Sequence, residues 1–593
     1  MSYVPALVLA IVRRTGLRSI ERFLLTAVIF VCLPIYAKPP NIVLILADDL
    51  GYTDIGAYGS EVRTPHLDAL AEQGIRFSNY HTAASCAPTR AMLLTGIDNH
   101  LAGVANIPEA IPPEQSDHPN YQGVLSPQVE TIESKLLSSG YHTYMSGKWH
   151  LGHKPHERPS ARGFERTVAM ADTGSDNWEQ KPYIPIYDKA NWYKDGAELV
   201  LPDKYYSSEF LVDEMIGFVD SNAGDGKPFF AYLPFLAVHI PVQAPRDYTE
   251  KYLEAYKEGW HALREARHRR AVELGLVASG ARVEMESTAD WDSLTLDDKR
   301  YHAKRMAVYA GMIEAMDFHV GRLVNHLTDL GEIDNTVFVF TSDNGAEASG
   351  SMNQAGLLSS FLLGLRDYSV EYETLGERGS FNTISASFAS ASVGPLAFYK
   401  FYAGEGGMRV PLIITGQPVE MKGSVSDAFA YVTDVAATIL EIGEIPADKT
   451  EMTGRSLLPI LSGERDGVYT ERDVVGYEVG GNAALFRGDY KLVMNRAPMG
   501  DAKWHLYDIK KDPGEVSDLA ASEPERFATM LTQYSEYTEA NGVLPIPDDY
   551  NQGTQILLNA INARLNVPLI ASVLFALLLL GGWLIYRGRR QSS

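Results

Sequence analysis

Apolar residues run unbroken through Asn41-Ile-Val-Leu-Ile-Leu-Ala47, and polar ones take over at once in Asp48-Asp49-Leu50-Gly51. An apolar run with no alternation, cut off by turn residues, is the pattern of a strand buried on both faces. The pattern recurs in Thr336-Val-Phe-Val-Phe-Thr341, which ends on Ser342-Asp343-Asn344-Gly345, and in Phe229 to Phe235, which leads to His239. Between these runs, Val129 to Ser139 and Ala303 to Leu330 carry apolar residues at helical spacing. Strands alternating with amphipathic helices predict an α/β fold, a large doubly wound mixed sheet flanked by helices. Ligands of such sheets bind beyond the carboxyl ends of the strands. Chain order alone therefore brings both acidic pairs to one edge.

From about residue 466 the pattern changes to shorter alternating segments: Val474 to Tyr477, Ala483 to Arg487, Tyr490 to Asn495 and Trp504 to Tyr507. These predict a smaller C-terminal α+β domain on an antiparallel sheet. The expected organisation is a catalytic domain over 38–465, with a charged, helix-prone insertion at about 246–302 and a Ser- and Gly-rich active-site loop at 350–398. The small sheet domain then spans 466–540 and a linker 541–566.

Both ends change the picture. Arg13, Arg14, Arg18 and Arg22 precede the apolar stretch Phe23 to Ile35, as in a signal peptide or signal-anchor over 1–37. Val567 to Tyr586 is apolar over a length that spans a bilayer, and the 587–593 tail carries Arg587, Arg589 and Arg590. Basic residues stay on the cytoplasmic side. The expectation is an exported, extracytoplasmic (periplasmic, if bacterial) enzyme anchored in the membrane by a transmembrane C-terminal helix. The formal net charge of −23 argues against nucleic acid as a partner, because such a surface repels phosphate backbones. Of the two cysteines, Cys32 lies in the N-terminal apolar stretch. Cys86 is then alone in the body, with no disulfide framework to explain it.

The segment Cys86-Ala-Pro88-Thr-Arg90-Ala-Met-Leu-Leu-Thr-Gly96 reads as a helix start, with Pro88 in the first turn. Cys86 falls where free N–H groups favour an anion, and Arg90 returns one turn later on the same side. Lys148 and His150, two apart in Gly147-Lys-Trp-His150, project to one face of an extended segment. The pairs Asp48-Asp49 and Asp343-Asn344 offer only oxygen ligands, which suit Ca²⁺ or Mg²⁺ rather than zinc or copper. Taken alone, each of these has a bland reading: a buried structural cysteine, a solvated lysine, a polar strand end. Their joint occurrence is the informative observation.

Together these segments resemble the sulfatases, the formylglycine-dependent type I enzymes of the alkaline-phosphatase-like superfamily, and lean toward bacterial arylsulfatases. Cys86-x-Pro88-x-Arg90 matches the motif whose cysteine a formylglycine-generating enzyme oxidises to 3-oxoalanine during export, with Thr89 in place of the commoner serine. Gly140 to Gly152, Asn41 to Tyr52, Thr64 to Asp68 and Thr341 to Gly345 match further patterns of the family. So do His239 before Ile240-Pro241, Lys400 five residues before Glu405, and Leu506 to Asp508 with Asp512-Pro513 and Glu515. The likeness spans roughly residues 39 to 520.

The resemblance implies hydrolysis of sulfate monoesters, with Ca²⁺ favoured over Mg²⁺ and held by Asp48, Asp49, Asp343, Asn344 and the modified Cys86. It further implies that Arg90, Lys148, His239 and Lys400 meet the sulfate, with His239 and Lys400 on the leaving-group side. His150 then takes a proton when sulfate is expelled. A formylglycine-dependent phosphonate monoester or phosphodiester hydrolase shares nearly the same ligands and stays open. A membrane-tethered binding protein with a degenerate site is a further alternative. The expected substrate is a sulfated small molecule or saccharide. His66, His81, His100 and His153 read as structural.

Overall fold

The apolar runs become strands because each side chain finds cover on alternate sides of one sheet. In β1 (Asn41–Ala47), Val43 and Ile45 enter one hydrophobic layer, and Ile42, Leu44 and Leu46 enter the other. The computed structural model describes residues 39–184, 186–280, 289–349, 363–364, 366–446 and 452–564.

Ten strands form the main sheet. With β2 (Gly74–Phe77), β3 (Tyr80–His81), β4 (His142–Lys148), β5 (Arg166–Met170), β6 (Trp192–Lys194) and β7 (Ala197–Glu198) come β8 (Phe229–Pro234), β9 (Thr336–Ser342), β10 (Leu412–Thr415) and β11 (Ser424–Ser426). Only β3 lies outside it, paired with β12 (Ala430–Tyr431). The order is β11-β2-β10-β9-β1-β8-β4-β5-β6-β7. The centre, β9-β1-β8-β4-β5, is parallel throughout, and β10 and β6 are added antiparallel on either side. Parallel strands need crossovers that lay helices on both faces. One face is covered by the helices Pro65–Gln73 and Ser207–Ser221 and the long helix Leu296–Asp329. The other is covered by Cys86–Thr95, Ile132–Ser138 and Val432–Ile442. This is the doubly wound mixed sheet expected from the pattern.

The C-terminal segments pair as the antiparallel sheet β13 (Val475–Val479), β14 (Asn482–Arg487), β15 (Tyr490–Met494) and β16 (Trp504–Asp508). Leu485, Leu492 and Leu506 on one face pack under Met530 of the helix Pro524–Asn541.

Two expectations change. Among the described residues no helix is long and apolar enough to cross a membrane. That corrects the membrane-anchored localisation; the stretches that carried it, 1–37 and 567–586, lie outside the described residues. The stretch 541–566, read as a linker, contains the helix Gln552–Arg564. It is seated on the 106–111 segment through Asn559 Nδ2, which donates to the carbonyls of Glu109 and Ile111, both at 2.9 Å. The insertion at 246–302 is helical as expected and packs against the 390s: Arg264 donates to the carbonyls of Pro395 and Leu396, both at 2.9 Å, and Arg267 to Asp54 at 2.5 Å.

Candidate active site

Both acidic pairs singled out in the sequence sit where a parallel strand ends. Asp48 and Asp49 follow β1, and Asp343 and Asn344 follow the neighbouring β9. Lys148 is the last residue of β4, and His239 lies in the loop after β8. Cys86 opens the helix Cys86–Thr95, whose first-turn N–H groups and dipole point at the same edge. The sheet register thus gathers residues that lie far apart in the chain.

The contacts are short. Cys86 Sγ lies 3.6 Å from Asp48 Oδ1 and 3.7 Å from Asp49 Oδ1. Lys148 Nζ reaches Asp48 Oδ2 at 2.8 Å, and Lys400 Nζ reaches Asp49 Oδ1 at 2.8 Å and Glu347 Oε2 at 3.0 Å. Arg90 spans two strand ends: Nε and Nη2 donate to Asp343 Oδ2 at 3.0 and 2.7 Å, and Nη1 donates to the Lys148 carbonyl at 2.8 Å. Asn344 Nδ2 donates to Asp49 Oδ1 at 2.7 Å, and the Asp49 N–H to Asp343 Oδ1 at 3.1 Å. His239 Nδ1 donates to the Ile240 carbonyl at 2.6 Å, so Nε2, 3.6 Å from Asp49 Oδ2, is left with its lone pair turned inward. Asp49 and His150 both hold left-handed backbone, φ 66° and 59°. Strain of that kind in non-glycine residues persists only where surrounding contacts enforce it.

This arrangement refines the sequence reading. Arg90, Lys148 and Lys400 are each paired with a carboxylate, because buried carboxylates without countercharge are costly. Burial pushes Asp49 up to about 7 despite Lys400, with Asp48 adding to the rise. For Asp48 burial acts in the same upward sense, but Lys148 and Arg90 outweigh it and hold the group below the usual range. Burial, then Lys148 and Lys400, keep His239 neutral. Burial and the Asp343 carboxylate push the Cys86 thiol well up, so the unmodified side chain is protonated and a poor nucleophile.

The donor set fits a hard divalent cation. Ligand atoms of Asp48, Asp49, Cys86 and His239 converge within 4.8 Å of one another. Asn344 Oδ1 is buried and has no hydrogen-bond partner among the described residues, although its amide nitrogen is fully used. An orphaned amide oxygen beside three buried carboxylates offers the all-oxygen donor set that a hard cation takes. Asp343 and Asn344 adjoin this group through Asp49, while His239 is a neighbour that the sequence had assigned to the leaving group rather than to the metal.

Two further acids went unnoticed in the sequence. Glu347, buried against Lys400, follows Asp343 by one turn of loop and could have been found as that lysine's counter-ion. Glu109, in the Pro-rich stretch 107–113, carried no periodic signal. Its Oε2 meets His150 Nε2 at 3.3 Å, and its Oε1 accepts from Tyr187. His150 joins the rest through the cavity it lines together with Cys86, His239 and Lys400. The four histidines read as structural bind elsewhere: His81 to Glu405, His100 to Asp98 and Glu478, and His153 to Asp172, while the His66 ring packs on Gly321.

Comparison with known proteins agrees with this geometry. Residues 40–445 match the model of the Sulfatase family, and 397–536 match that of the N-sulphoglucosamine sulphohydrolase C-terminal region. A Schizosaccharomyces pombe protein named as a sulfatase is 35% identical, covering 87% of this chain and 96% of its own. The arylsulfatase of Klebsiella aerogenes is 33% identical over 71% of this chain and 90% of its own. Among solved structures, Ps i-CgsB superposes with a TM-score of 0.62 at 23% identity, over 88% of this chain and 98% of that one. A sulfatase of Pseudoalteromonas sp. gives 0.55 at 20%, over 85% and 90%. The chain therefore belongs to the sulfatase family and is a sulfuric ester hydrolase.

Proposed function

We propose that the enzyme cleaves sulfate monoesters with Cys86 carried as formylglycine and with one divalent cation, Ca²⁺ in preference to Mg²⁺. Asp48, Asp49, Asp343 and Asn344 would hold the cation. Together, cation and aldehyde hydrate supply an oxygen nucleophile ionised at neutral pH and a polarised sulfate. The observation that carries the reading is the approach of Cys86 Sγ to both Asp48 and Asp49 at the head of a helix. Burial and the Asp343 carboxylate, which push the unmodified thiol well up, are in keeping with it.

The remaining side chains divide the work. Lys148 and Arg90, anchored on Asp48 and Asp343, offset the sulfate's negative charge. Lys400 and His239 stand by Asp49 on the cavity side, and one of them gives a proton to the departing oxygen as the S–O bond breaks. His150 accepts a proton as sulfate leaves. Its Nε2 is engaged by Glu109, and its Nδ1 is buried without a partner among the described residues, so Nδ1 is the accepting atom.

Mass measurement of the peptide spanning Cys86, in protein that turns over an aryl sulfate, tests the proposal. The expected result is the aldehyde or its hydrate. Full turnover by protein holding only unmodified thiol would overturn it. Faster turnover of aryl phosphonate monoesters than of aryl sulfates would move the enzyme to the phosphonate-hydrolase alternative.

A further inference from the structure

One wall of the cavity over Cys86 includes residues that neither matched family region reaches. Gly553 and Ile556, on the helix Gln552–Arg564, line it together with Ile107 and Glu109. The helix is fixed there by several bonds. Asn559 holds the carbonyls of Glu109 and Ile111, Tyr550 OH donates to the Ala110 carbonyl at 2.9 Å, and Gln552 Nε2 donates to Asn106 at 3.3 Å. Tyr550, Gln552 and Ala560 are buried by this docking. The insertion at 246–302, by contrast, supplies no residue to the cavity among those described.

The cavity measures about 330 Å³, near the lower limit of small-molecule sites. Its organic side is apolar: Ile107, Ile184, Ile240, Phe381, Phe401 and Ile556. Its charged lining residues are Glu109, Glu347 and Lys400, and Lys400 is already bound to both Asp49 and Glu347. A second sulfate on the substrate would meet two carboxylates and no unengaged cation among the described lining residues. Desolvating an anion under those conditions is unfavourable.

We infer that the helix Gln552–Arg564 is a specificity-determining wall, and that the site takes a monosulfated alcohol whose organic part is compact, apolar and otherwise uncharged. This rests on the sulfate-ester reading above. The wall acts on the organic group only; the sulfate end is built by the strand ends, the helix Cys86–Thr95 and Lys400. Replacing Ile556 should therefore alter how esters are ranked while leaving affinity for the bare anion alone.

The test uses the full chain with formylglycine in place, a one-ring aryl sulfate, a disulfated disaccharide, and inorganic sulfate as a competitive inhibitor. Wild type should prefer the aryl sulfate. Ile556→Ala should raise its KM about tenfold, the scale of a lost apolar contact in a pocket, with inhibition by inorganic sulfate unchanged. Ile556→Lys should move the ratio of kcat/KM about tenfold toward the disulfated disaccharide. Gly553→Phe adds bulk where an added Cβ meets only Asn551 Oδ1, at an ordinary contact distance of 3.6 Å, and removes no packing. It should reject two-ring aryl sulfates more than one-ring ones, which keeps the inference testable if the Ile556 variants fold poorly. A wild-type preference for the disulfated disaccharide, or rankings unmoved in every folded variant, would overturn it. A wild type that hydrolyses aryl phosphonate but no sulfate ester would instead sink the reaction reading. The variants' ranking of phosphonate esters would then still judge the wall.

Discussion

Glu109 shows how much one buried carboxylate can decide. It is 2% exposed, accepts from Tyr187, and meets His150 Nε2 at 3.3 Å. Burial raises its pKa, but His150 outweighs that and keeps the group ionised below the usual carboxylate range. An ionised carboxylate at Nε2 holds the ring proton there and leaves Nδ1 as the acceptor. Glu109→Gln preserves the shape but can present an amide nitrogen to the same atom, so the tautomer is no longer imposed. The expected outcome is a kcat lower by about 10- to 100-fold, the range of lost orienting partners, with KM little changed. Steady-state kinetics on an aryl sulfate separates the two, and Glu109→Asp should recover part of the loss. Equal changes in kcat and KM would mean that Glu109 only supports the fold. At this scale the residues picked out where chemistry and motif coincide, Cys86, Arg90, Lys148 and the two acidic pairs, are ones that the fold brings together. Glu109 escaped because an acid in a Pro-rich loop has no spacing that tells which way it faces.

The elements were legible in proportion to how fully they are buried. β1, β8 and β9 were read almost to the residue, since a strand covered on both faces must be apolar at every position. The helix Gln552–Arg564 was read as linker. Its apolar positions include the exposed Leu557 and Leu558, so it shows no clean stripe, and its docking relies on polar bonds. A pH dependence belongs to the join between two elements. His100, after the helix Cys86–Thr95, reaches Asp98 through Nδ1 at 3.2 Å and Glu478 of β13 through Nε2 at 2.9 Å, and its side chain is fully buried. Burial disfavours the charged ring, yet the two carboxylates prevail and lift it to about 9 from an ordinary 6.5. A raised value means that the folded state keeps a proton the unfolded chain has released. The stabilisation is complete below pH about 6.5 and disappears as pH climbs through about 9, on the order of 3 kcal/mol in all. Melting curves between about pH 6 and 10 should show wild type losing its advantage over His100→Gln across that window. A constant difference between the two would refute the assignment.

Across the whole molecule, charge opposes the substrate even though the site attracts it. The formal net charge is −23, and sulfate monoesters are anions. The long-range field therefore slows encounter, while Lys148, Arg90 and Lys400 act only at close range. Salt screens distant charges more than buried ones. Second-order rates for an aryl sulfate should accordingly rise when ionic strength goes from about 0.01 to about 0.15 M, where the Debye length shrinks from about 30 to about 8 Å. A fall would show that local cations dominate the approach as well. The same acidity disfavours polysulfated saccharides more than monosulfated esters, which agrees with the lining of the cavity.

By itself the sequence determined which residue types could do the chemistry and on which edge of a sheet they would meet. Both follow from local rules: uninterrupted apolar runs become central strands, and the residues just after parallel strands share one edge. Only the tertiary structure decided that Arg90 is committed to Asp343, that Glu109 meets His150, and that Gly553 and Ile556, rather than any described residue of 246–302, line the cavity over Cys86. Those outcomes depend on where distant segments pack. No periodicity in the chain encodes which loop a helix will lie against, because that choice is made by a few polar bonds and by the shape left over when the core has closed.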